Sequence, residues 1–143
     1  MGILHVNNIH WKFKIIVRAI IFNKFGDILL VQRAREPDKK KWSLVGGKVE
    51  ILEKAEEAII REVKEELQVS FFPRFIFYKD DFISVPGDHC LILFFSGEIQ
   101  GKIQIKKEEV LAIKYWSQKE INENRNQIAF NHWEVLSKYY EKR

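Results

Sequence analysis

Gly46-Gly47-Lys48-Val49-Glu50-Ile51-Leu52-Glu53-Lys54, running on into Ala55-Glu56-Glu57-Ala58-Ile59-Ile60-Arg61-Glu62-Val63-Lys64-Glu65-Glu66-Leu67, is the stretch on which the reading of this chain turns. From Lys54 to Leu67 it contains no Gly or Pro, and Ala, Glu, Ile, Lys and Leu dominate. That composition predicts a helix. Ile59, Ile60, Val63 and Leu67 gather into one apolar stripe. Glu62 and Glu66, four residues apart, fall on one helix face about 40° from each other. They sit at the edge of the stripe near Ala55, and Glu65 borders the pair. Like charges at this spacing cost a few tenths of a kcal/mol, roughly, when solvated. At a core edge desolvation raises that cost.

A hard divalent cation relieves such a conflict. Mg²⁺, with Mn²⁺ as a substitute, takes one or two protein carboxylates, keeps waters and recruits phosphate oxygens for the rest. Gly46-Gly47 offers backbone that can be approached closely, with a carbonyl as one more hard ligand. Arg61 has Glu57 and Glu65 four residues away on either side and Glu53 two turns back, so it can hold the acidic array in register. The competing reading is a solvated Glu/Lys/Arg-rich face, and spacing alone leaves the two nearly even. No Gly-Lys-Ser/Thr follows the glycines, so this is not a Walker loop.

Outward from this helix the chain alternates short extended pieces with turns. Lys12–Phe22 and Ile28–Gln32 read as strands joined by Asn23-Lys24-Phe25-Gly26-Asp27, a hairpin. Arg33–Lys41 is a charged loop, and Trp42–Val45 is extended. Phe71–Phe82, His89–Ile99 and Ile113–Trp116 read as strands, with Lys102–Ile105 a weaker one. Ser117-Gln118-Lys119-Glu120 is a capping box, and Phe130–Lys142 has helical spacing of Trp133, Leu136, Tyr139 and Tyr140. Strands outnumber helices without alternating with them, which argues an α+β layered sandwich.

The chain has 143 residues, 46% hydrophobic and 31% charged, which suits one compact domain with a real core over residues 1–143, centred on about 12–142. Lys+Arg is 24 against Asp+Glu 20, so the net charge of +4 allows an anionic small molecule and gives thin support for nucleic acid. The lone Cys90 argues against a disulfide framework and a Cys-based zinc site, and suits a reducing cytoplasm. Polar residues such as His5, Asn7, Asn8 and His10 precede any apolar run, so no targeting segment is expected. No apolar run approaches the ~20 residues needed to cross a bilayer.

The acidic stretch resembles the Nudix box: Gly, five residues, Glu, seven residues, then Arg-Glu-apolar-any-Glu-Glu-any-Gly-apolar. Gly47, Glu53, Arg61, Glu62, Val63, Glu65, Glu66 and Val69 fall on that pattern in register, with Gln68 where the family has Gly. Trp42-Ser43-Leu44-Val45-Gly46-Gly47 is similar to the family's Trp-x-x-Pro-Gly-Gly, with Val45 replacing Pro. The resemblance implies an α/β/α sandwich with a mixed sheet and a loop–helix–loop motif. It implies metal-dependent hydrolysis of a diphosphate linked to another moiety, by water attack on phosphorus. It implies Glu62 and Glu66 as the main metal ligands, Glu65 on a second ion, the Gly46 carbonyl as a further ligand, and a Glu53–Arg61 pair that stabilises the motif. Gln68 is expected to take a left-handed conformation at about 1 kcal/mol of strain.

Within that frame the general base is sought at Glu62 or Glu65, with Glu108 or Glu109 as downstream alternatives. Arg18, Arg33, Arg35 and Lys48 are candidates for steering substrate phosphates, alongside the competing reading of a solvated charged rim that also includes Lys39–Lys41. None of the four histidines has metal-ligand spacing with another, though His89 beside Asp88 is a minor catalytic candidate. Trp42, Phe82 and Trp133 could stack a base, but core packing is the better reading. The expected substrate is a nucleoside diphosphate derivative. A nucleoside triphosphate pyrophosphohydrolase or a non-catalytic nucleotide sensor are the alternatives, in a monomer or homodimer.

Overall fold

The computed structural model describes residues 4–6 and 9–142. The reading of the amino terminus as free of a targeting segment rests on residues 1–10, which lie wholly or partly outside them. The strands are β1 (Leu4–Val6), β2 (Ile9–Ile21), β3 (Ile28–Arg33), β4 (Trp42–Ser43), β5 (Val45–Lys48), β6 (Ser70–Asp81), β7 (Asp88–Gln100) and β8 (Val110–Trp116). The helices are α1 (Ala55–Leu67), α2 (Gln118–Glu123) and α3 (His132–Lys142), with 3₁₀ turns at Arg125–Gln127 and Ala129–Asn131. Among the described residues no helix is long and apolar enough to cross a membrane.

Two sheets result. One runs β1-β2-β7-β6 with β5 also on β2, and the other runs β4-β3-β8. The first is mixed, because β2 and β7 are parallel while the other pairs are antiparallel. Strand β2 alternates between two cores. Val17, Ala19 and Ile21 face α1, joining its Ala58, Ile59, Val63 and Leu67. Ile20 faces the other way, into a cluster with Phe94, Ile121, Val135, Leu136 and Tyr139 from the α2–α3 side. Each of the buried Val, Leu, Ile and Phe side chains among them stabilises by about 1.5–3 kcal/mol relative to exposure. The expected sandwich is met: helices cover both faces of the sheet layer, and their two separate cores meet across β2.

Several expectations need correction. Strands β2 and β3 do not form a hairpin. The Asn23 turn is present, with its side-chain oxygen accepting from Phe25 N–H and Asp27 N–H at 2.9 and 3.0 Å. Beyond it the two strands share only the bridge Phe22–Ile28. Both flanks of β2 are already taken, by β7 and β5, so β3 turns away to pair with β4 and β8. Lys102–Ile105 is not a strand. Its Gln104 N–H donates to Leu67 O at 3.0 Å, satisfying a carbonyl at the end of α1, while Ile103 and Ile105 cover the core beneath. Ile60 is 39% exposed and outside the apolar stripe, whose fourth member is Ala58. Tyr139 is buried against the sheet.

Helix α1 ends at Gln68, with φ 59° and ψ 37°, its N–H bonded to Lys64 O. The expected left-handed residue is present. The exposed Gln68→Gly variant should be more stable by about 0.5–1 kcal/mol, relief of strain offset by the unfolded-state freedom of glycine. A thermal melt should rise by about 1–4 °C. A lower midpoint would show that the Gln68 side chain contributes more than its backbone strain costs.

Candidate functional site

The two glycines lie inside β5, not in a loop, because two close approaches converge there. A Cβ on Gly46 would collide with Val17 O of the paired β2, and one on Gly47 would collide with the Glu62 carboxylate. The bare strand lets α1 lay its acidic edge directly on β5. Glu66 Oε2 accepts the Gly46 N–H at 3.1 Å. Gly46 therefore touches the acidic cluster through its N–H.

Arg61 organises the outer side of this cluster. Its Nε and Nη2 grip Glu53 Oε2 and Oε1 at 2.7 and 3.0 Å, a bidentate pair. Nη1 donates to Glu62 Oε1 at 2.9 Å and more loosely to Glu65 at 3.3 Å, and Nη2 also reaches Lys48 O at 3.1 Å. The Glu53–Arg61 pair is thus formed as expected. Glu57 is not one of its partners, because its carboxylate accepts the Lys54 N–H at the start of α1. The Arg61 guanidinium holds Glu53 below the usual carboxylate range, and the same bond raises Arg61.

Inside this frame the electrostatics are unfavourable. Burial pushes Glu66 up to about 8, with Glu62 and Glu109 adding to the rise and Arg18 and the Gly46 N–H opposing it. Burial also raises Glu62, although Arg61 pulls it down. Two carboxyl groups whose charged forms are penalised share one edge of a helix.

They line a cavity of about 310 Å³ with Glu65, Gly46, Ser43, Glu109 and three arginines, Arg18, Arg33 and Arg35. Arg18 arrives from the middle of β2, Arg33 from the end of β3 and Glu109 from just before β8. The structure thus brings together Glu62, Glu65, Glu66, Gly46, Arg18, Arg33 and Arg35. Lys48 is exposed and contributes its carbonyl to Arg61, and Glu108 is absent from the lining. A larger groove of about 670 Å³, lined by Phe72, Arg74, Phe75 and Tyr139 among others, lies away from α1 and lacks the carboxylate cluster.

His89 pairs with Asp80 at 2.9 Å, not with Asp88, which binds Lys14 at 2.7 Å. Trp42 packs edge-on against Trp116. Sequence reasoning missed His132. It is buried, its Nδ1 accepts the Leu44 N–H at 3.1 Å, and Arg18 Nη1 donates to Leu44 O at 3.1 Å. Together they fix the backbone leading into Gly46-Gly47. Burial holds His132 well below its ordinary pKa, so it stays neutral and can accept. Nothing in its local sequence signals this, because the partner is 88 residues away.

The NUDIX domain model matches residues 12–139. The chain belongs to the Nudix family. It is 28% identical over 127 residues to the ADP-ribose pyrophosphatase of Methanocaldococcus jannaschii, covering 83% of this chain and 69% of that protein. It is 43% identical over 54 residues to the CTP pyrophosphohydrolase of Escherichia coli, covering 37% of this chain and 40% of that one. The chain spans less than a fifth of the length of two further curated relatives that it matches. The solution structure of the E. coli ORF135 protein superposes with a TM-score of 0.77 at 26% identity, covering 92% of this chain and 91% of that one. Of the box positions of this Nudix chain, Glu62, Glu65 and Glu66 line the cavity, and Glu53 and Arg61 form the pair beside it.

Proposed function

We propose that this Nudix chain, acting as one domain over about residues 12–142, is a hydrolase that cleaves the diphosphate linkage of a nucleoside diphosphate derivative by water attack on phosphorus. The observation that carries this reading is the shared cavity: Glu62, Glu65 and Glu66 of α1 on one wall, and Arg18, Arg33 and Arg35 with Glu109 on another. An anionic diphosphate would be repelled by the first wall alone and held without chemistry by the second alone.

The donor set fits a hard divalent ion such as Mg²⁺. Glu62, Glu65 and Glu66 are oxygen donors at one edge, and the burial that raises Glu62 and Glu66 is the kind of conflict a cation relieves. Among the described residues no three such groups are already drawn around one point. An ion that keeps several waters needs only one or two of them. When bound, such an ion neutralises phosphate charge and acidifies water. Glu62 and Glu66 would hold it, with Glu65, 55% exposed at the outer rim, available to a second ion. Arg18, Arg33 and Arg35 would bind and orient the phosphates. The proton from the attacking water passes to a carboxylate lining the cavity, a set of Glu62 and Glu65 from α1 joined by Glu109 from the far wall.

The likeness to the ADP-ribose pyrophosphatase, which extends over 127 residues, supports a diphosphate linkage flanked by two groups. The likeness to the CTP pyrophosphohydrolase supports triphosphate cleavage as the second reading. Purified protein with Mg²⁺ should release monophosphates from ADP-ribose or a nucleotide sugar in a panel that also holds the nucleoside triphosphates. Turnover of triphosphates alone would replace the first reading by the second. Tight binding with no turnover in Mg²⁺ or Mn²⁺ would make the chain a sensor.

A further inference from the structure

We propose that Phe130 is the positioning residue of the phosphate-binding wall, its ring holding Arg18 and Arg33 together at the cavity. The inference rests on the function proposed for that cavity and assigns the residue that sets its affinity for phosphate.

Arg18 and Arg33 come from strands of different sheets, yet both line the same cavity. Among the described residues neither makes an ion pair. Arg33 Nε donates to Pro37 O at 2.7 Å and Arg18 Nη1 to Leu44 O, both neutral carbonyls. The buried Arg18 Nε has no hydrogen-bond partner among the described residues. Burial lowers both arginines from their ordinary range, and Arg33 lowers Arg18 further. Glu66 opposes this for both, with Glu62 acting on Arg18 and Asp38 on Arg33, but none of these carboxylates makes an ion pair with either arginine. The group in direct contact with both is the Phe130 ring, whose negative face lies with its centroid 4.6 Å from the Arg33 guanidinium carbon and 5.6 Å from that of Arg18.

Core packing alone does not account for this phenylalanine. Phe130 belongs to neither hydrophobic cluster and is only partly buried, and besides the arginines its ring meets the His132 ring at 5.6 Å. Its backbone is left-handed, φ 54° and ψ 25°, and Asn131 follows at φ 57°. A bulky residue in that region is strained, and strain persists where the surroundings enforce it. Here the Phe130 N–H points to Asp38 Oδ2 at 3.4 Å, and the next residue but one is the buried His132. The strained turn swings the ring out of the core and onto the arginines. A cationic pair held in place without a direct ion pair to the carboxylates across the cavity is suited to a ligand that brings its own negative charge.

The test uses Phe130→Leu, which keeps an apolar side chain and removes the π face, and Phe130→Trp, which restores it. The probe is inorganic pyrophosphate with Mg²⁺, titrated calorimetrically into the full chain, with melting curves to verify folding. Phe130→Leu should bind pyrophosphate about 10-fold more weakly and raise KM by a similar factor with kcat nearly unchanged, as expected for lost cation–π support. Phe130→Trp should recover most of the affinity. In an Arg33→Ala background, Phe130→Leu should cost much less than it does alone. Should Phe130→Leu melt, Phe130→Met takes its place with the same expectation. Wild-type affinity in the Leu variant, equal weakening in Leu and Trp, or full additivity with Arg33→Ala would each overturn the role. A wild-type protein that turns over no substrate sinks the proposed function. The pyrophosphate titration needs no catalysis and still decides for or against Phe130.

Discussion

Replacing Glu62 by Gln should lower kcat by at least ~100-fold in Mg²⁺ while the protein stays folded. The substitution removes one charge and almost no volume, which matters where Glu62 lies against the bare backbone of Gly47. The Gln oxygen can still accept from Arg61, which bonds Glu62 Oε1 at 2.9 Å in the wild type. The Glu53–Arg61 clamp is untouched by the change. Without metal, the variant also loses the like-charge repulsion that helps raise Glu66. Its stability should therefore equal or exceed that of the wild type. A fall in rate with no fall in melting temperature assigns Glu62 to the chemistry, because a merely architectural carboxylate would lose both. A variant turning over at the wild-type rate would remove Glu62 from the proposed machinery.

How much of this was legible follows from how local each feature is. Helix α1 and the Glu53–Arg61 pair depend on spacing within one segment, and both appear as the sequence indicates. So does the left-handed Gln68, because a helix must end somewhere and the box fixes where. The capping box at Ser117 is equally local, its two bonds to Glu120 both 3.1 Å. Strand pairing is different. Lys12–Phe22 and Ile28–Gln32 carry every sign of a hairpin, yet the choice of neighbour depends on β5 and β7, which compete for the same edges of β2. Apolar alternation at Ile103 and Ile105 reports only that one side is covered, and a helix-capping loop satisfies it as well as a strand. The basic wall was found in part: Arg18, Arg33 and Arg35 reach the cavity, and Lys48 does not. Phe130 and His132 carried no signal, since their partners Asp38 and Leu44 are 92 and 88 residues distant.

Without divalent metal, stability should fall as pH rises from about 6.5 to 8.5, and added Mg²⁺ should cancel the fall. Glu66 carries the argument. Its folded pKa, about 8, is raised above the ordinary carboxylate value by burial, so the folded chain holds a proton that the unfolded chain has released. Stability that depends on that proton is complete at low pH and is lost as pH climbs through the folded value. Glu62, also raised, acts in the same direction. His132 opposes them at the acid end. Its folded pKa is depressed, so acidification below about 6.5 favours the unfolded chain. The two slopes offset each other between about pH 5 and 6.5, and above that window only the carboxyl slope remains. For one group it is at most about 1.4 kcal/mol per pH unit, reduced by whatever water reaches the cavity. A chelator-treated sample should melt at nearly constant temperature from pH 5 to 6.5 and at progressively lower temperature to pH 8.5. Glu66→Gln should flatten the upper limb. Mg²⁺ should raise the melting temperature most at the alkaline end, where the carboxylate it would bind is already deprotonated. A metal-free melt that is level or rising from pH 6.5 to 8.5 would show that Glu66 is charged in the folded chain without help, and that the acidic edge needs no cation.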